Sequence, residues 1–136
     1  MLEGCVQPGL SPNTNAAAAR VLDRLGVTLL RAASAGCCGA VSFHLDARGE
    51  ALDYMRRNID AWWPYIERGA EAIVMTASGC ATMVKDYGHL LADDPVYAGK
   101  AKRVTELTRD ISEVLTADRA QLKRSEERRV GKECRL

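Results

Sequence analysis

No apolar run in the 136-residue chain approaches the ~20 residues that a membrane-crossing helix needs, so no direct membrane span is expected. The N-terminus lacks the basic-then-apolar layout of a secretory signal, which makes the cytoplasm the expected compartment. Charge of one sign is missing too: 19 Lys/Arg against 18 Asp/Glu leave a net +1. Such a balance gives no electrostatic footprint for nucleic acid, and that class of partner is not expected. No GxGxxG stands between a strand and a helix, so neither a flavin nor a nicotinamide fingerprint is present. The paired CxxC knuckles of zinc ribbons are absent as well. Residues 1–123 hold no internal repeat and no low-complexity linker.

What is there reads as one globular domain: 47% hydrophobic and 27% charged residues over a length that can bury a single core. Cysteine stands out, with five residues. In a cytosolic protein, clustered cysteines more often bind metals or do redox chemistry than form structural disulfides. The C-terminal stretch differs from the rest. RSEERRVGKECR, residues 124–135, resembles the conceptual translation of a sequencing adapter, so residues 124–136 are expected to be a non-native tail that removes Cys134 from the argument. Five basic and three acidic residues fall in that stretch, which leaves 14 and 15 in residues 1–123, a net −1. The domain itself is expected over residues 1–120, as part of a longer subunit.

Short apolar runs alternate with helical patterns, which predicts an α/β fold: a short parallel sheet of about three to four strands flanked by helices. Leu2–Val6 is a short strand candidate. SPNTNAAAARVLDRLG follows, with cap-type Ser11, Asn13 and Asn15 and a stop at Gly26. Its Ala18, Val21, Leu22 and Leu25 recur at helical spacing. Val27–Leu30 reads as a second strand. Residues 46–69 read as a helix carrying Leu52, Met55, Ile59, Trp62 or Trp63, and Ile66, with a kink or restart expected at Pro64. Ala72–Thr76 is the strongest strand candidate, and Ser78-Gly79-Cys80 opens a helix through Leu91. Val104, Leu107, Ile111, Val114 and Leu115 form a last helical stripe.

On this map Cys5, the adjacent Cys37 and Cys38, and Cys80 each follow a strand. In a parallel sheet those C-terminal ends share one edge, where open α/β sheets keep their ligand crevices. Gly36 and Gly39 free the backbone around the pair, while Gly4 and Gly79 precede the other two cysteines. At the start of a helix, Cys80 is expected to favour thiolate over thiol. Soft thiolates select zinc, copper(I) or iron–sulfur groups. From the residues alone, three readings stay open: a metal–sulfur site, a redox dithiol, or buried inert thiols.

LEGCVQPGLSPNTNAAAARVLDRLGV, AGCCGAVSFHL, NIDAWWPYIERGAEAI and TASGC together resemble the iron–sulfur subunits of bacterial glycolate oxidases, in their cysteine-rich CCG domain. Heterodisulfide reductases carry the same domain type. The resemblance covers nearly all of residues 1–123. It implies that Cys5, Cys37, Cys38 and Cys80 ligate an iron–sulfur cluster of the [4Fe–4S] type, with zinc as the alternative. Where the family's downstream motif is CxxC, this chain reads CATM and places Met83 at the second position. The implied role is electron transfer from a flavin-containing subunit that oxidises glycolate to glyoxylate, toward the quinone pool. In that scheme the domain binds no substrate, and its partners are the flavin subunits and the remaining domains of its own chain. Peripheral association with the inner membrane face would come through the complex. A zinc-stapled docking module and a thiol–disulfide reductase are the competing functions.

His44, six residues past the pair, is a candidate hydrogen-bond donor to the centre or a turn residue. His89 is expected at a helix C-terminus. Met55, Met75 and Met83 read as core.

Overall fold

A computed structural model describes residues 1–2 and 4–117, so the expected tail at 124–136, with Cys134, lies outside the described residues. The order of elements is α1 (Gln7–Leu10), α2 (Asn13–Arg24), α3 (Ala40–His44), α4 (Arg48–Glu67), β1 (Ile73–Met75), α5 (Ser78–Lys85), α6 (Tyr87–Leu90), α7 (Ala98–Leu107), β2 (Thr108–Asp110) and α8 (Ile111–Ala117). The class is α/β, with more helix and less sheet than the sequence suggests.

β1 pairs with β2 in parallel, Ile73 opposite Thr108 and Met75 opposite Asp110. Its other side holds a single parallel bridge between Leu2 and Met75. The sheet therefore has two strands among the described residues, not three to four. Val27–Leu30 is not a strand. Leu2 already occupies that flank of β1 but bridges it at one position only, too short a template for a further strand. The nearby Leu30 carbonyl accepts instead from the Met1 amino group at 2.9 Å, and the Leu30 side chain is exposed.

β2 corrects the last helical stripe. Val104 and Leu107 lie on α7, whereas Ile111, Val114 and Leu115 lie on α8. The break has two local causes. Thr108 is β-branched and fully buried, and its Oγ1 donates back to the Val104 carbonyl at 2.7 Å. Asp110 and Glu113 then form a capping box: the Ser112 N–H donates to Asp110 Oδ1 at 2.9 Å and the Asp110 N–H to Glu113 Oε2 at 2.7 Å.

α4 runs 20 residues and continues through Pro64, so the helix does not restart there. Proline sits three residues from the helix end, and Asp60, whose carbonyl loses its donor, is exposed to water. The buried face carries Ala51, Met55, Asn58, Ile59 and Trp62. Trp62 is the core tryptophan. Trp63 lies outside, its indole N–H on Glu67 and the Lys100 ammonium 5.2 Å above its ring. The α4 stripe packs with Ile73 and Met75 of β1, Val84, Tyr87, Leu91, Val104 and Leu107 into one core that also takes Met83. β1 is thus at the centre, and its C-terminal end sets where the cysteines go.

Candidate metal centre

The chain leaves the Leu2 bridge through Gly4, whose φ of +75° suits glycine, and delivers Cys5. It leaves β1 through Thr76 and Ala77 and delivers Cys80 in the first turn of α5. These two sulfurs reach one edge of the sheet as a parallel arrangement requires. Cys37 and Cys38 reach it differently, because no strand precedes them. Their turn is held from below by α4 and α6.

Gly39 makes that turn possible. Its φ is +87°, and a Cβ there would stand 3.0 Å from the Ala51 carbonyl oxygen of α4, so both conformation and space call for glycine. Two fully buried polar side chains clamp the pair. Asn58 Oδ1 accepts from the Gly36 N–H at 2.8 Å. Its Nδ2 donates to the Cys37 carbonyl at 2.7 Å and to Tyr87 Oη at 3.2 Å. The Tyr87 hydroxyl in turn donates to the Cys38 carbonyl at 2.7 Å. Tyr87 stacks on Trp62, with ring centroids 6.5 Å apart. Burial raises its phenol above the ordinary range, so it stays protonated and able to donate. Sequence patterning does not single out Asn58 or Tyr87. The one signal is Asn58 itself, an amide on the apolar stripe of Met55, Ile59 and Trp62.

All four expected cysteines line one cavity of about 620 Å³, together with Gly4, Gly79 and His44. A Cβ at Gly4 or Gly79 would meet no protein atom within 4 Å, so both glycines leave open space at the wall. The four are free thiols; Cys38 is buried, Cys37 and Cys80 half-buried and Cys5 exposed. They form two close pairs. Cys5 Sγ lies 3.4 Å from Cys37 Sγ, and Cys38 and Cys80 are close enough for a thiol–thiolate hydrogen bond that shifts the ionisation of both. Among the described residues no three Cys, His, Asp or Glu side chains close on one point as a single ion requires. Met83 is buried in the core and does not line the cavity, which removes it from the donor set. His89 does not line it either.

The charge is distributed unevenly. Cys38 falls to about 6, first because Cys80 hydrogen-bonds to it and then through the N–H groups of the turn, against the opposing effect of burial. Cys80 rises above the ordinary thiol range because it is the donor of that bond and because it is buried. Burial raises Cys37. The thiolate expected at Cys80 thus belongs to Cys38: a hydrogen bond from a neighbouring thiol outweighs the helix terminus. Four sulfurs, one already ionised, around a cavity with open glycine walls fit a soft metal group.

The family model for the cysteine-rich domain, CCG, matches residues 1–85. The chain belongs to this family. Among curated proteins, this CCG domain is 62% identical over 115 residues to the "Glycolate oxidase iron-sulfur subunit" of Escherichia coli (strain K12), covering 85% of the chain and 28% of that protein. It is 28% identical over 112 residues to the "Probable glycolate oxidase iron-sulfur subunit" of Bacillus subtilis (strain 168), covering 82% and 24%. It is 28% identical over 114 residues to "Lactate utilization protein A" of Bacillus cytotoxicus, covering 82% and 44%. The CCG domain thus spans about a quarter of the first two relatives and under half of the third. No solved structure matches it.

Proposed function

We propose that this chain is a cysteine-rich domain of an iron–sulfur electron-transfer subunit in a glycolate-oxidising complex. One observation carries the reading: three separate stretches bring four thiols to a single cavity. A cavity of about 620 Å³ lined by four thiols has room for a polynuclear group of the [4Fe–4S] type as well as for one zinc ion, and the likeness to iron–sulfur subunits supports the former. Cys5, Cys37, Cys38 and Cys80 would hold it. When bound, such a group accepts and passes on single electrons.

The chain's own residues do the rest. Cys38 offers an anionic sulfur at neutral pH, and the Gly39 turn presents it beside Cys37. The core formed by α4, α6 and β1 screens the inner side of the turn from water. The likeness to glycolate oxidase subunits supports glycolate as the substrate of the assembly, a flavin-containing partner as electron donor, and the quinone pool as destination. This domain then acts as wiring, not as the substrate site. Among the described residues no helix is long and apolar enough to cross a membrane, so a place at the inner membrane face would come through partners.

Anaerobic purification with iron, sulfide and zinc assays on wild type and Cys38→Ser tests the reading. Iron with matching sulfide in wild type, lost in Cys38→Ser, is expected. Zinc alone would replace the electron-transfer role with a docking role. The 3.4 Å Cys5–Cys37 contact favours a second reading, a thiol–disulfide reductase. Turnover that survives Cys37→Ala excludes it.

A further inference from the structure

Of the four hydrogen bonds that the Asn58 and Tyr87 side chains make, three go to the backbone of the Gly36–Cys38 turn and the fourth joins the two side chains. Both are fully buried. Burying an amide and a phenol is unfavourable unless each finds partners. The partners they find are not those of an ordinary core pair. Asn58 takes the Gly36 N–H and the Cys37 carbonyl, Tyr87 takes the Cys38 carbonyl, and the two bond each other. None of these bonds supports the helix that carries either side chain. Two successive carbonyls next to the thiols therefore have their negative ends capped by donors, on the side away from the cavity.

Resting on the function proposed above, we propose that Asn58 and Tyr87 are positioning residues for the metal centre. They lock the Cys37–Cys38 backbone in the turn that presents both sulfurs, and they draw negative charge off the two carbonyls beside it. The first effect slows metal loss. The second makes an added electron less unfavourable, which raises the midpoint potential, and the low-dielectric interior strengthens it. Partners one shell outside metal ligands typically alter metal retention by 10–100-fold.

Tyr87→Phe is the decisive variant, since it keeps the ring and its stack on Trp62 and removes only the hydroxyl. In the natively assembled protein, purified anaerobically, Tyr87→Phe should keep its circular dichroism and metal content. It should release metal to a chromogenic chelator roughly 10–100-fold faster and show a more negative midpoint potential in an EPR-monitored titration. Trp62→Phe loosens the same packing without touching either carbonyl, so its release rate and potential should stay near wild type. Should Tyr87→Phe fail to fold, Asn58→Leu serves in its place: it strips the Cys37 carbonyl of its donor without adding a charge or a new donor, and should move both readouts the same way. Wild-type release and potential in a folded Tyr87→Phe, or equal shifts in Trp62→Phe, overturn the proposal. If wild type holds zinc alone, the electron-transfer reading falls while chelator release still decides the clamp: faster zinc loss in Tyr87→Phe supports it and equal loss overturns it. Neither iron nor zinc in wild type overturns both.

Discussion

Cys38 and Cys80 share one hydrogen bond but not its consequences. The donor is held above the ordinary thiol range and the acceptor is pushed down to about 6. In metal-free, reduced protein, thiolate absorbance near 240 nm should therefore gain one equivalent as pH rises through about 6. Cys38→Ser removes that step. Cys80→Ala removes the main cause of the depression, so the step should move up toward 9.0, the ordinary value. A step that stays near 6 in Cys80→Ala would assign it to the turn's N–H groups instead. The sign carries over to metal binding. Protons compete for Cys37 and Cys80, whose values are raised, so apparent affinity should increase with pH through the neutral range. None of this unevenness could be read from four identical residue types. Helix position alone argued for Cys80, and only the geometry shows that a second thiol lies within reach.

The elements were legible to different degrees, for reasons that lie in particular residues. β1 has three buried apolar positions in a row between polar turns, and the α4 stripe repeats cleanly from Ala51 to Trp62. β2 was hidden because Val104, Leu107, Ile111 and Leu115 keep helical spacing across it. Thr108 and the Asp110–Glu113 capping box mark the break, and they look like ordinary helix-surface residues until paired. The site was more legible than the sheet. Cys80 follows from the end of β1 and Cys5 from the single Leu2 bridge beside it, not from a strand over Leu2–Val6, whereas the Cys37–Cys38 turn depends on side chains 20 to 50 residues away in sequence, Asn58 and Tyr87. The glycine after the pair is testable at this scale. Gly39→Ala meets both a positive φ and the Ala51 carbonyl at 3.0 Å. It should cost about 1–3 kcal/mol of stability in chemical denaturation and lower the metal content. Gly79→Ala, in helical backbone at an open wall, should be neutral or stabilise by up to about 1 kcal/mol. Equal losses in the two would show that the turn is not strained against α4.

At the scale of the whole molecule, the small sheet leaves the N-terminal stretch lightly attached. Leu2 is tied to β1 by one bridge and a 3.3 Å hydrogen bond to the Val74 carbonyl, and Cys5 beyond it is exposed. A metal group held by Cys5, Cys37, Cys38 and Cys80 would tie that stretch, the turn on α4 and the start of α5 to one another across 75 positions of sequence. Because an unfolded chain lacks the preformed site, binding adds directly to folding stability, by about 2.7 kcal/mol when free metal is a hundredfold above its dissociation constant. For a domain near 100 residues each kcal/mol moves the melting temperature by roughly 4–8 °C. Stripping the metal with chelator under reducing, anaerobic conditions should therefore lower Tm by about 10 °C or more. The variant separates linkage from simple damage. Cys38→Ser should melt near the stripped wild type and fall no further when chelator is added. If chelator lowers both proteins equally, the four thiols are not the staple. If it lowers neither, protein contacts such as the Leu2 bridge and the Thr76 bonds to Gln7 and Asn15 hold the N-terminal stretch without metal.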